Sequence, residues 1–483
     1  MGLLLVGFFS LLYWYTLAPT VLWGDSAKLA LYVKEMHFNA DAVGNHMLHT
    51  LLGKLFSYLP FGDFAYRQNL MSAFFGVASI LVFYGVLLEL LKERTSAFLT
   101  SACLGVSHTF WLSSVVNESY SLFAFFFALG FLLWLKWEKN GHPLYLYLHF
   151  FLIGVGLLNN LLNSFTLLMT FILLMSSEKG RRWLFSGQGV LGTFCFLLAL
   201  SPIGVLSFLQ GSVSPRSYGW FLRPNGFFRE AAFYPVYLFY QFPLLGFFLG
   251  CVGVGPMFRE RRDLFWAVAA TFLLDIFFSS LYMRQRRLFL YLPSYFCYAV
   301  WIGYGLKELV SWARQQRKAL RMAIPLVLIG VPVILYLSLP SIADRYQMDM
   351  LHARKLAFRN NNLFYLNPAK RHEFGPREYG LSAMQTVKPN SLILGDFTPT
   401  MVLLYYQKIE GWRADVSIES RIDSYVRSPE KRNELYELIS RELEKRAVYL
   451  ADNEESYYGI EALKRRFELI PQGSLWEVRH RGA

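Results

Sequence analysis

Residues 3–22 read LLLVGFFSLLYWYTLAPTVL, and the chain continues Trp23-Gly24-Asp25-Ser26. An uncharged run of twenty residues is about long enough to cross a bilayer as a helix. Asp25 then stands at the mouth of that span. Ionisable groups at a membrane are costly to desolvate, which makes them functional candidates. The plainer reading is that Asp25 N-caps a partly amphipathic helix beginning near Ser26, and both roles can hold together. No small-residue cleavage site follows, so the span is expected to be a retained helix and not a removed signal.

The pattern repeats along a chain of 483 residues that is 54% hydrophobic and 18% aromatic. Apolar runs fill residues 1–340, and about eleven spans are expected: 3–22, 70–91, 95–113, 119–136, 144–158, 164–177, 184–208, 233–255, 264–282, 288–306 and 322–340. Residues 144–177 are the delicate part, because merging the two short helices across Asn159, Asn160 and Asn163 would invert everything downstream. The charges argue against merging. One set of short connections carries fifteen Lys and Arg, while the other carries ten over much longer loops. This bias puts the N-terminus inside and residues 341–483 outside. It also accounts for much of the net charge of +13 without any nucleic acid. The four cysteines, Cys103, Cys195, Cys251 and Cys297, lie in apolar spans at spacings that fit neither a disulfide framework nor zinc.

From Ser341 onward the composition is that of a soluble domain of about 140 residues. Strands are expected near Ser391–Asp396, Asp415–Ile418 and Val448–Asp452, with helices over Thr398–Gln407 and Pro429–Arg446. That alternation favours a small α/β domain with a parallel sheet. No Gly-rich phosphate loop is present.

Several segments resemble a known family. Trp23-Gly24-Asp25-Ser26 and the block from Leu52 to Ala73 are similar to the protein-O-mannosyltransferase-like membrane proteins, members of the GT-C glycosyltransferases. His108-Thr109-Phe110-Trp111, Glu118-Ser119-Tyr120, Leu292-Pro293-Ser294-Tyr295 and the stretch Leu404–Val416 resemble further family segments. There are departures. Asp25-Ser26-Ala27-Lys28 stands where the family reads Asp-Ser-Gly-Glu, its His-Pro-Pro-Gly-Tyr-Pro turn is absent, and Asn159-Asn160 replaces an Asn-His pair. The implied architecture is a polytopic α-helical GT-C membrane domain (1–340), whose 23–69 loop carries the site, followed by an α/β domain (341–483).

The resemblance implies transfer of a sugar, with mannose as the candidate, from a polyprenyl-phosphate donor to a hydroxyl of a protein, glycan or lipid acceptor, with inversion. A hydroxyl is a poor nucleophile, so a carboxylate must take its proton as the new bond forms. Asp25 is the expected general base. The departing lipid phosphate needs cations, and the planar fork of Arg suits it. Arg284, Arg286 and Arg287, grouped at an outer helix end against the charge bias, are the expected ligands, with Arg67 as a second candidate; headgroup anchoring competes. Glu118 is expected to orient a sugar or acceptor hydroxyl, Tyr120 to stack on the sugar or simply to pack, and His46 to contact substrate. His37, His46, His49, Asp25 and Asp41 hint at a metal, but hard ions prefer carboxylate clusters and zinc needs closely arranged ligands. No metal or other cofactor is expected. Asp275, inside a span, is either a buried polar contact or part of a lipid-phosphate path. The expected location is a bacterial inner membrane with a periplasmic α/β domain; the alternative is an endoplasmic-reticulum membrane facing the lumen. The competing function is a non-catalytic GT-C protein, a lipid-linked-sugar carrier or scaffold, which Lys28 keeps open. The lack of internal inverted symmetry speaks against a carrier.

Overall fold

The computed structural model describes residues 1–38, 46–210, 226–282, 288–315, 318–349, 353–422 and 429–481. Its first part consists of α1 (Gly2–Thr16), α2 (Asp25–Glu35), α3 (Met47–Phe56), α4 (Phe64–Leu91), α5 (Arg94–Val106), α6 (His108–Val115), α7 (Tyr120–Asn140), α8 (Leu144–Leu157), α9 (Ser164–Ser176) and α10 (Glu178–Leu184). It continues through α11 (Gly187–Gln210), α12 (Phe227–Gln241), α13 (Leu245–Glu260), α14 (Arg262–Tyr282), α15 (Leu292–Ala313), α16 (Lys318–Pro325) and α17 (Val331–Arg345). Among the described residues, five helical stretches are long and apolar enough to cross a membrane: α4, α7, Gly187–Leu206, α14 and Met322–Arg345. The count reaches seven if each of two bent pairs is one span.

The bends have local causes. The expected span 233–255 is two helices, α12 and α13, meeting at 111°. Pro243 lies in the break, where it offers no N–H to continue the ladder, and Leu244 has φ +51°. Residues 95–113 likewise divide at Ser107, whose ψ of 143° is extended. Between α8 and α9 the chain turns over Leu161–Asn163, with the Asn160 side chain accepting from the Leu162 N–H at 3.0 Å. The two short helices are therefore separate.

The basic connections come together at one end of the bundle. Glu89 pairs with Lys136 and with Lys139 (2.9 Å), Glu138 with Arg261 (2.6 Å), Glu260 with Lys307 (2.9 Å) and Glu93 with Arg314 (2.7 Å). Such partly exposed pairs add little stability. Their value here is to show which helix ends are neighbours. The opposite end carries α2, α3 and the α/β part.

That part contains α18 (Asn361–Leu366), α19 (Gly375–Thr386), α20 (Phe397–Lys408) and α21 (Pro429–Leu443) around five strands. These are β1 (Leu392–Gly395), β2 (Ser417–Ser420), β3 (Val448–Leu450), β4 (Phe467–Gln472) and β5 (Leu475–His480), in the order β2-β1-β3-β5-β4. β1 pairs in parallel with β2 and β3, with Leu392 opposite Ser417 and Val448. The sheet is mixed and not purely parallel, because β4 and β5 form an antiparallel hairpin on β3. Arg413 closes a corner beside β2. It forks onto Asp415 (2.8 and 2.9 Å) and donates to the carbonyls of Met384 and Val387, while Trp412 stacks on Tyr406 at 4.3 Å.

One apolar cluster crosses from the first part into the second. Val21, Trp23, Ala27, Ala30 and Ala65 are buried with Tyr379, Val402, Tyr405, Tyr406 and Tyr449. The α/β part is thus packed directly on the loop that follows α1. Burial of this kind stabilises by roughly 25 cal/mol per Å² of apolar surface removed from water.

Candidate active site

The four residues after α1 each have a separate structural use. Trp23 is buried, with its ring 5.2 Å from that of Tyr379. Gly24 has φ +66°, a left-handed conformation that glycine adopts without a steric penalty, and it is the N-cap residue of α2. Asp25 is consequently the first residue of the helix and not its cap, one position later than the capping reading required. At this position its half-buried carboxylate lies beside the positive end of the helix dipole. Ser26 is buried; its hydroxyl accepts from the Leu22 N–H at 3.4 Å and its carbonyl accepts from Asn117 Nδ2 at 3.0 Å.

The last contact ties α2 to the loop between α6 and α7, the loop that carries Glu118. Further bonds gather a third loop. Asn159 Nδ2 donates to the Ser119 carbonyl and Asn160 Nδ2 to the Ser119 hydroxyl, both at 2.9 Å. The N–H of Leu48 donates to the carbonyl of Leu158 at 3.1 Å, bringing α3 to the same place. His46, just before α3, has Nδ1 2.6 Å from the carbonyl of Asn159. A carbonyl only accepts, so the proton is on Nδ1 and Nε2 keeps its lone pair. Burial pushes the His46 imidazole below its ordinary range; Lys28 adds to this, while the Asn159 carbonyl and Asp25 oppose it. His46 is therefore a neutral ring within the electrostatic reach of Asp25. His49, fully buried, is pushed down to about 3 by burial and is likewise neutral at ordinary pH.

The other expected site residues are distributed unevenly. Glu118 is half-buried on the loop bound to α2. Tyr120 stacks on Phe289 with ring centroids 4.9 Å apart and planes 12° apart, so one of its faces is taken by protein. Arg67 donates from Nη1 to the carbonyls of Ser57 (2.6 Å) and Leu59 (2.9 Å) and from Nε to that of Asp63 (3.2 Å). Those bonds use Nε and Nη1 of the guanidinium on its own loop. Arg284, Arg286, Arg287 and Asp41 lie outside the described residues. Asp275 is fully buried and accepts from Ser279 Oγ (3.1 Å) and from the N–H of Ser294 (2.9 Å) in the first turn of α15. Of its two readings this is the buried polar contact. Among the described residues no three of His, Cys, Asp and Glu come together as a metal group. Asn117, which no spacing rule singles out, and Ser119, legible only as part of the family segment, are the residues through which these loops are joined.

Residues 44–183 match the family model described as the Protein O-mannosyl-transferase TMEM260 N-terminal domain. The whole fold is similar to that of ArnT from Cupriavidus metallidurans bound to undecaprenyl phosphate, with a TM-score of 0.62 and 14% identity over 99% of this chain and 97% of that one. The likeness to the family model thus covers α3 to α9 and the loops between them, and the likeness in fold extends over the whole chain. The fold is also similar to that of the Archaeoglobus fulgidus oligosaccharyltransferase in its apo form, with a TM-score of 0.54 and 12% identity over 100% of this chain and 74% of that one. The family match takes in His46, Arg67, Glu118, Tyr120, Asn159 and Asn160, and begins after Asp25.

Proposed function

We propose that this protein is a glycosyltransferase of the GT-C type that moves a sugar, with mannose as the candidate, from a polyprenyl-phosphate donor to an acceptor hydroxyl, inverting the anomeric carbon. The observation that carries the reading is Asp25 in the first turn of α2, within electrostatic reach of a neutral His46 and on a helix tied to the Glu118 loop. The undecaprenyl phosphate bound to ArnT supports a lipid-linked donor. In the step we infer, the acceptor oxygen bonds to the anomeric carbon from the face opposite the phosphate. The bond from that carbon to the phosphate oxygen breaks, the lipid phosphate leaves, and the hydroxyl proton passes to Asp25. In this reading Nε2 of His46 and the Glu118 carboxylate accept from hydroxyls of the sugar or acceptor, and Tyr120 contributes to binding the sugar. Membrane fractions incubated with radiolabelled polyprenyl-phosphate mannose and other such sugars should transfer label. Silence with every donor would overturn the reading.

Arg284, Arg286 and Arg287 are proposed to hold the donor phosphate. Replacing all three with Gln should weaken binding of undecaprenyl phosphate at least tenfold without affecting membrane insertion, and wild-type affinity for a soluble donor analogue should fall as salt rises. Unchanged affinity in the triple variant would return them to headgroup anchoring.

The charge bias supports a site on the outer face, periplasmic in a bacterial inner membrane or lumenal in an endoplasmic reticulum. A reporter active only in the cytoplasm, fused after Ala483, should stay silent. A strong signal would invert the topology.

A further inference from the structure

α2 and α20 lie side by side and run in the same direction. At the starting ends, a Cβ on Gly24 would meet the Phe397 ring at 3.6 Å. At the finishing ends, Lys408 Nζ is 2.7 Å from Glu35 Oε1. Between them, Ala27 and Ala30 are buried in one cluster with Val402, Tyr405 and Tyr406. The helix that carries the proposed base therefore has the α/β part as one of its walls.

Lys28 stands at the start of this seam, one turn after Asp25. Its Nζ lies 5.2 Å from the ring centroid of Tyr32 on its own helix and 5.9 Å from that of Phe397 on α20. An ammonium within about 6 Å of an aromatic ring is attracted by the ring's quadrupole. The contact joins the first turns of both helices, where a small rotation of α2 would move the Asp25 carboxylate most directly.

We propose that Lys28 is a positioning residue: held over Tyr32 and Phe397, it ties α2 to α20 and fixes the direction of the Asp25 carboxylate. The proposal rests on the reading of Asp25 as general base. It makes the α/β part a component of the active site, and it gives a base at position 28 a use that an acid could not fill.

The test is a double-mutant cycle on the full-length protein in lipid nanodiscs, with polyprenyl-phosphate mannose as donor. Lys28→Gln and Phe397→Leu should each lower kcat about tenfold through misplacement of the base, with donor KM unchanged. The double variant should be no worse than either single one, and Lys28→Arg should recover most of the loss. Amide hydrogen exchange across residues 25–35 should rise in both single variants and no further in the double. A rise in donor KM in Lys28→Gln but not in Phe397→Leu would make Lys28 a phosphate ligand and overturn the proposal. Unchanged kcat in Lys28→Gln, or losses that simply add, would overturn it too. If the wild type transfers no sugar, the proposed function fails, while the exchange cycle still decides whether Lys28 joins the two helices.

Discussion

Asp25→Asn should lower turnover roughly 10²–10⁴-fold while leaving donor affinity unchanged, because the lost interaction belongs to the transition state. Asn keeps the size and hydrogen-bonding shape of the side chain and cannot take the acceptor's proton at working pH. The local structure makes this substitution discriminating. Gly24 supplies the left-handed turn and the cap position, so α2 does not depend on the Asp25 side chain as its N-cap. Among what Asn forfeits is the favourable interaction of a carboxylate with the helix dipole, about 0.3–1 kcal/mol at a surface-exposed terminus. Asn keeps the hydrogen-bond accepting oxygen, so folding, insertion and undecaprenyl phosphate binding should persist in the variant. Single-turnover transfer in nanodiscs, with donor binding measured in parallel, separates the two effects. A correctly inserted Asn variant with full activity would remove Asp25 from the chemistry.

Some of this site can be read in the sequence and some cannot, for a physical reason. Apolar runs and their Pro and polar punctuation are local signals, so α4, α7, α11 and α14 lie close to where periodicity places them. Helix breaks such as that at Pro243 and Leu244 are also local, but their angle depends on what the two halves pack against. The β4–β5 hairpin had a signal, Gly473-Ser474 between two short runs, with Gly473 at φ +60°. Asp25 was marked by the contrast between one charge and twenty apolar residues before it. Its surroundings were not. His46 meets Asn159 across 113 positions, and Asn117 meets Ser26 across 91. Small polar residues in an aromatic chain have no periodicity of their own, so which of them converge is decided by tertiary packing. The same holds for Lys28, which reads in sequence as a departure from the family pattern and acquires a partner only when α20 folds against α2.

Arg354→Met should cost on the order of 3–5 kcal/mol of stability, the range for removing one partner of a buried ion pair. In the parallel part of the sheet the chain passes from β1 to β2 on one side and then to β3 on the other, so order reverses between β1 and β3. A crevice at the carboxyl ends of strands at such a point is where open α/β sheets commonly take ligands. Here the chain itself fills it. Asp396 follows β1, Asp452 follows β3, and Arg354 lies 3.0 Å from Asp396 Oδ2 and 3.6 Å from Asp452 Oδ2 with its side chain only 9% exposed. Asp396 is further held by the Tyr458 hydroxyl at 2.8 Å and caps α20 through the Thr398 N–H at 3.2 Å. One cation facing two carboxylates leaves an excess negative charge, and burial pushes Asp452 up to about 6 despite the pull of Arg354. A folded-state value above the unfolded one means that the native protein holds the extra proton between about pH 4 and 6. The stability contributed by Asp452 is therefore present at the acidic end of that window and lost as pH rises through it. Removing Arg354 takes away the charge that holds Asp452 down, so the deficit of the Met variant should be largest at pH 7 and shrink by pH 5. Thermal unfolding of the full-length protein in detergent at both pH values, beside Asp452→Asn, measures this. In Asp452→Asn the slope due to that carboxyl should be gone. A Met variant within 1 kcal/mol of wild type, or a deficit that does not change with pH, would show that the arginine fills the crevice without holding it.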